Sequence, residues 1–229
     1  MSNELVKTIM EEKREAYKKA SKDMRSLLEA ATKKVTVQID ENDLRTLRDG
    51  SYSLCFAKKV GDFDYDVIWK SLDKYILENT FSWQPIYQVY GTNSFNDNVK
   101  VEVSTNVKNI GLNEITTIDG YGVLSNPVTG GDEESINVNN QYGNIHIGIS
   151  QLSVNDEGQM ESTPIYVSKG AVIKGESQYK PVEKVMVWFQ ANAETGTMFA
   201  EMRSRSIEID LTDSNEASVL YKNGEWARI

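Results

Sequence analysis

Cysteine and histidine are nearly absent from this chain, which has one of each among 229 residues. A single cysteine, Cys55, cannot form an intramolecular disulfide or a multi-cysteine metal site. The single histidine, His146, leaves one place for a histidine-based dyad or metal ligand. Because these residues carry most soft-metal and nucleophilic chemistry, we expect no cofactor and no bound metal.

Long apolar runs and catalytic motifs are missing as well. No segment approaches the roughly 20 apolar residues of a membrane-spanning helix, and the first residues alternate charged with apolar side chains, unlike a secretory signal. No glycine-rich phosphate loop, nucleophile elbow or dinucleotide fingerprint occurs. We therefore expect a soluble, non-enzymatic protein that is cytoplasmic or released without a signal peptide.

Charge divides the chain into two parts near Lys34. Residues 1–34 carry nine Lys/Arg and six Asp/Glu, a net charge of +3, whereas the other 195 residues carry 16 and 28, a net charge of −12. The change predicts a basic helix in 1–34 and an acidic domain in 35–229. Nucleic acid is an unsuitable partner for the acidic domain, because phosphate binding needs clustered Lys/Arg.

The basic segment has a narrow apolar seam with alternating spacings of three and four residues, interrupted where Lys13 falls on it. This spacing predicts an amphipathic helix that packs on one neighbour, either the acidic domain or copies of itself. A homo-oligomer is therefore possible. The seam consists of Val6, Met10, Tyr17, Ala20, Met24, Leu27 and Ala31.

After Lys34 the apolar period changes to two, as in half-buried strands: Val35, Val37 and Ile39 alternate with polar residues. Many short strands separated by turns predict a mainly β fold, an antiparallel β-sandwich or flattened barrel with an N-terminal amphipathic helix. The same alternation occurs at 52–58, 99–104, 145–150 and 207–212. Further strands are predicted at 66–69, 85–90, 136–139, 165–168, 184–190 and 217–222, and short helices at 41–48 and 71–78.

Two connections have clear signatures. Asn223-Gly224 predicts a type I′ hairpin turn, because both residues tolerate the positive φ that this turn requires. Residues 125–135 are rich in turn-forming and acidic residues, and predict a surface loop rather than a domain boundary.

Aromatic residues are dense between positions 81 and 95. Trp83, Tyr87 and Tyr90, with Phe81 and Phe95, could form a platform for a sugar face or a membrane headgroup. The alternative is ordinary core packing.

Residues 184–190 have large apolar side chains on both faces of a predicted strand, with Met186 and Trp188 opposite the core-facing set. Such a strand is either buried on both sides or exposes a contact patch. The N-terminal helix is the expected cover. Met186 and Trp188 therefore join the aromatic residues as candidate binding residues.

Three carboxylates, Asp62, Asp64 and Asp66, share one face of an extended segment and imitate the start of a calcium loop. The glycine of such a loop is missing, so a solvated edge that deters aggregation is the favoured interpretation. A second acidic group, Asp132 to Glu134, is a weaker metal candidate. A Cys55–His146 dyad requires proximity in the fold.

An amphipathic N-terminal helix on a compact β-sandwich without disulfides is similar in outline to small pore-forming cytolysins of the actinoporin type. The chain differs from them in its acidity, its heavily charged helix and its lack of an obvious basic, aromatic headgroup site. The resemblance implies a non-enzymatic, toxin-like membrane-active protein with a detachable helix. The alternative is a structural or carbohydrate-binding module that self-assembles through the helix; an enzyme of unfamiliar type is the third hypothesis.

Overall fold

A computed structural model describes residues 31–154, 158–199 and 205–229, together with positions 11, 13–15, 17–19 and 21–22. The chain divides into two compact units, Met1–Thr32 and Lys33–Ile229. In the first unit, the described positions between 11 and 22 are helical. Of the five larger seam residues, only Tyr17 is described, and it is 75% exposed. The predicted seam positions Val6, Met10, Met24 and Leu27 lie outside the described residues.

The second unit consists of strands and one short helix. The elements are β1 (Lys33–Ile39), α1 (Glu41–Asp49), β2 (Tyr52–Val60), β3 (Lys70–Leu72), β4 (Glu78–Thr92), β5 (Lys108–Ile110), β6 (Glu114–Ile118), β7 (Val128–Thr129), β8 (Ile136–Asn140), β9 (His146–Val154), β10 (Met160–Val167), β11 (Gly175–Tyr179), β12 (Pro181–Ala191), β13 (Ser206–Asp210), β14 (Glu216–Lys222) and β15 (Glu225–Arg228).

The described strands form three sheets. The largest has the order β10-β9-β4-β1-β14-β15, with β5 paired to β4; the others are β11-β8-β6-β7 and β13-β12-β2-β3. Pairing is mostly antiparallel, except for β1 with β14 and β6 with β8, which are parallel. The predicted mainly β, sandwich-like fold is confirmed.

One hydrophobic core collects buried side chains from all three sheets, including Val35 from β1, Leu54 from β2 and Ile136 from β8. The alternating patterns at 35–39, 145–150 and 207–212 all lie in strands or at their ends, with their apolar side chains turned towards this core. Period-two alternation marked these strands because one face of each is buried.

Local signals also set α1 and the last hairpin. The Asp40 side chain caps α1 by accepting a hydrogen bond from Asn42 N at 3.0 Å, and Leu44 and Leu47 bury one side of the helix. Asn223 and Gly224 have φ values of 53° and 75°, as a type I′ turn requires. The predicted helix at 41–48 and the predicted hairpin are therefore confirmed.

Residues 99–104 do not form the predicted strand. Val101 N donates to Gly196 O at 2.8 Å, and Val99 O accepts from Met198 N at 2.9 Å, so the neighbour is a loop instead of a continuous strand. Val99 and Val103 are exposed. The alternation of valines was therefore misleading: among the described residues this segment makes only an isolated bridge, between Lys100 and Thr197.

Two other predictions are wrong. The proposed helix at 71–78 is replaced by the end of β3, in which Leu72 pairs with Leu54 of β2, and by a loop. Long-range pairing has overridden local helix preference here. Residues 66–69 are buried but form only an isolated bridge, between Val67 and Met198.

A charged pair lies inside the second unit. The Lys58 side chain is 0% exposed, and its Nζ donates to Glu183 Oε2 at 2.7 Å. The same oxygen accepts from Trp83 Nε1 at 3.1 Å. Lys58 Nζ also lies 5.1 Å from the Trp83 ring centroid and 6.0 Å from that of Trp69. A salt bridge and two aromatic faces therefore compensate the desolvation of this ammonium group.

Candidate functional site

The aromatic residues predicted to bind a ligand are buried. Trp83, Tyr87, Tyr90 and Trp188 all lie in the interior. Trp83 packs in the main core, and Tyr90 packs against Gly148, where an added Cβ would lie 2.1 Å from the Tyr90 ring. A buried ring has no face free for a sugar or a headgroup. Their placement corresponds to the core-packing alternative.

Residues 184–190 are covered on both faces. The outer face of β12 belongs to a second hydrophobic cluster, in which Trp188 packs with Tyr65, Ile68 and Phe199, and half-buried Met186 lies against it. These covering residues come from loops of the second unit. The strand therefore matches the alternative in which both faces are buried.

Cys55 and His146 bond to different partners. Cys55 is buried, and burial raises the pKa of its thiol to about 12, so the thiol stays protonated at neutral pH. His146 Nδ1 lies 2.6 Å from the Ser168 carbonyl oxygen. A protonated, buried thiol is a poor nucleophile, and nothing in this geometry supports the Cys–His dyad.

An open surface cleft of about 590 Å3 brings together three separate parts of the chain: the loop after β2, the end of β10 and β11. Its volume falls within the range of about 300–1,000 Å3 typical of small-ligand sites. The lining residues are Asp62, Phe63, Asp64, Asp66, Tyr166, Ser168, Lys169, Gly170, Val172, Ser177, Gln178 and Tyr179.

The backbone of the first loop is fixed at both ends. Gly61 has a φ of +57°, which favours glycine, and its N–H donates to Lys180 O at 2.6 Å. At the other end, Asp66 O accepts from Phe199 N at 2.8 Å. These bonds hold Phe63 and the three aspartates along one wall of the cleft.

An ion pair lies at the base of the cleft. Asp66 is only 3% exposed, and its Oδ1 lies 2.9 Å from Lys169 Nζ, which is also 3.7 Å from Asp64 Oδ2. Burial raises the pKa of Asp66 to about 6, although the adjacent Lys169 ammonium lowers it. Partial burial lowers the pKa of Lys169, but its bonds and charge interactions with Asp66 and Asp64 raise it overall.

Ser168 positions Lys169. Its Oγ accepts from Ile147 N at 2.9 Å, and its N–H donates to Ile147 O at 2.9 Å. These two bonds fix the backbone just after β10. Lys169 is the next residue, so its side chain starts from an anchored backbone. The pair with Asp66 is therefore built from two constrained segments.

A row of aromatic rings forms the apolar wall of the cleft. Phe63 is 50% exposed and stacks on Tyr166, with 5.6 Å between ring centroids and 30° between ring planes. Tyr166 in turn contacts Tyr179 of β11 at 5.5 Å. Tyr166 and Tyr179 are buried, so the Phe63 ring is the aromatic surface that the row presents to solvent.

The three aspartates do not form a cation site together. Asp66 and Asp64 both contact the Lys169 ammonium, which takes the place that a cation would occupy. Within residues 31–154, 158–199 and 205–229, no group of three or more His, Cys, Asp or Glu side chains is arranged to hold a metal ion.

Sequence reasoning identified one wall of the cleft and missed the other two. The sequence indicated the 62–66 segment as a possible cation site. It did not indicate Tyr166, Lys169 or Tyr179, because these residues belong to no recognisable motif. The sequence signal at this wall was the aromatic residue Phe63 placed among three aspartates.

No family model matches the chain, and neither a curated protein nor a solved structure matches it. Among the described residues, no helix has the length and apolar character needed to cross a bilayer. Any ligand of the cleft must therefore be inferred from its own side chains.

Proposed function

We propose that the protein is a non-enzymatic binding module whose cleft recognises a carbohydrate. The observation that carries this proposal is the half-exposed Phe63 ring, stacked on Tyr166, in the same cleft as the ion pair between buried Asp66 and partly exposed Lys169. Sugars have C–H-rich faces that pack on aromatic rings, and hydroxyl groups that both donate and accept hydrogen bonds. The cleft offers both features within one volume.

The polar groups of the cleft suit hydroxyl recognition. Asp64 accepts hydrogen bonds, Lys169 donates them, and the Gln178 amide does both. Asp66 and Lys169 offset one another's charge across 2.9 Å, so neither requires a charged ligand, whereas buried Asp66 Oδ1 has no well-aligned hydrogen-bond donor. A neutral polyhydroxylated ligand is therefore a better fit than a strong anion or cation.

The membrane-active hypothesis drawn from the sequence stays a prediction. Its candidate headgroup residues, Trp83, Tyr87 and Tyr90, are buried, and most of the helix seam lies outside the described residues. The carbohydrate proposal rests on neither set.

A glycan array is the appropriate first test, with wild-type protein and two variants. Phe63→Ala removes the exposed ring, and Tyr52→Ala is the matched control, because Tyr52 is a partly exposed aromatic residue outside the cleft. Loss of about 50 Å2 of contact at about 25 cal/mol per Å2 corresponds to about 1.3 kcal/mol, or about tenfold weaker binding.

We expect Phe63→Ala to lose the array signal and Tyr52→Ala to keep it. Equal binding by both variants, or no glycan bound by wild-type protein, would refute the proposal. A pair among the three carboxylates of the cleft could also hydrolyse a glycosidic bond. Recovery of the bound glycan with unchanged mass supports binding, whereas shortened glycan would replace the proposal with an enzymatic one.

A further inference from the structure

We propose that three neighbouring loops at one end of the β11-β8-β6-β7 sheet form a tip that contacts a lipid surface. The tip comprises residues 119–124 after β6, 141–144 after β8 and 173–175 at the start of β11. This inference goes beyond the carbohydrate cleft and does not depend on it. The side chains that carry it do not line that cleft.

Hydrogen bonds show that the three loops lie side by side. Gln141 N donates to Ile118 O at 2.8 Å, which joins the second loop to the end of β6. The buried Asn140 side chain donates to Gly143 O at 2.6 Å and to Ile173 O at 3.2 Å, which joins the second loop to the third.

The tip exposes large apolar side chains. Tyr121 is 91% exposed and Ile173 is 70% exposed, and Val123 and Tyr142 are exposed as well. The Tyr142 ring lies against Gly122, where an added Cβ would be 3.4 Å from the ring. Scattered exposed apolar residues are ordinary, but four on three adjoining loops form a patch of the kind that marks a contact surface.

Side-chain oxygens of Asp119 and Asn140 hold the backbone of these loops by accepting hydrogen bonds from main-chain N–H groups. Asp119 Oδ1 accepts from both Tyr121 N and Val123 N at 2.9 Å, and Asn140 Oδ1 accepts from Tyr142 N at 3.0 Å. Because the loops are already ordered, docking the exposed side chains costs little additional backbone entropy.

The tip is less acidic than the rest of the chain, which has a net charge of −9. In the three loops the formal charges of Asp119 and the exposed Lys174 cancel, and the exposed Glu176 lies just beyond the third loop. An anionic membrane therefore repels this patch less than it repels the acidic remainder, and tyrosine is a side chain that membrane–water interfaces favour.

Vesicle flotation tests the proposal with phosphatidylcholine vesicles, with and without phosphatidylserine. The test variant is Tyr121→Ser with Ile173→Ser, and the matched control is Ile76→Ser with Leu77→Ser, two exposed aliphatic residues outside the tip. We expect the tip variant to partition about tenfold more weakly than wild type, which corresponds to about 1.4 kcal/mol, and the control to partition like wild type.

Several results would overturn the proposal: no flotation of wild-type protein with either vesicle, equal loss in both variants, or no loss in the tip variant. Light scattering can give a further contradicting result. If wild-type protein is a dimer that does not bind vesicles, and the tip substitutions abolish this dimer, the tip contacts a second copy of the chain. Phe63→Ala should float like wild type, so failure of the cleft proposal leaves this outcome unaffected.

Discussion

Substitution of Lys58 by methionine should destabilise the second unit strongly. Methionine preserves most of the apolar stem that packs against Trp69 and Trp83, but it removes the ammonium group. Glu183 then keeps only its hydrogen bond from Trp83 Nε1, at 3.1 Å, in a site where its side chain is 21% exposed. The substitution therefore leaves a mostly buried carboxylate without its counter-charge.

The expected magnitude follows from this environment. Breaking a buried ion pair by removing one partner costs about 3–5 kcal/mol. Partial exposure lets Glu183 retain some hydration, so we expect the lower end, about 3 kcal/mol. For a domain of roughly 200 residues, a loss of 1 kcal/mol lowers the melting temperature by about 2–4 °C, so the melting temperature should fall by about 6–12 °C. Burial lowers the pKa of Lys58 to about 8, while Glu183 raises it, so the pair is formed at pH 7.

Urea and thermal unfolding at pH 7 measure this loss. Lys34→Met is the matched control, because Lys34 pairs with Glu216 at 2.8 Å on the surface, and exposed pairs contribute less than about 1 kcal/mol. Lys58→Met with Glu183→Gln should recover part of the stability, since no unpaired charge remains. The reasoning is refuted if Lys58→Met costs no more than the control, or if the double variant is no more stable than Lys58→Met alone.

Two further predictions concern the cleft and the packing of β9. Because the pKa of Asp66 is raised from 3.8 to about 6, the folded state keeps this proton to higher pH than the unfolded chain does. The free energy of unfolding of wild-type protein should therefore decrease as pH rises from about 4 to about 6. The melting temperature of Asp66→Asn should not show this decrease. The melting temperature of Asp64→Asn, which changes an exposed side chain, should still show it. Gly148→Ala should cost about 2 kcal/mol by denaturant unfolding, because its Cβ would lie 2.1 Å from Tyr90, whereas Gly120→Ala, which meets open space, should cost less than about 0.5 kcal/mol. Identical pH profiles for the two asparagine variants, or equal stability of the two alanine variants, would contradict these expectations.

The predictable part of the fold was the part in which one strand face is buried and the other is not. Val35 to Ile39 alternates for that reason, and Asn223-Gly224 marks a turn because of its own backbone preference. The errors arose where a long-range partner decides the structure. The segment 99–103 forms only an isolated bridge, between Lys100 and Thr197, in the described part of the chain, and Leu72 paired with Leu54 in place of starting a helix.

The site was less predictable because its walls are distant in sequence. Asp66 and Lys169 are about 100 positions apart, and no spacing rule connects them. The sequence also did not show which aromatic residues are buried. Composition alone favoured Trp83 and Tyr90 as a binding platform. The packing of Tyr90 on Gly148 depends on the pairing of β4 with β9.

The most direct measurement of the central claim is an amide NMR titration with the strongest glycan from the array. Carbohydrate binding at the cleft predicts that the largest shift changes fall in residues 62–66, 166–170 and 177–179, and that Phe63→Ala weakens the titration about tenfold. Shift changes centred elsewhere on the second unit, or a titration unaffected by Phe63→Ala, would contradict the account.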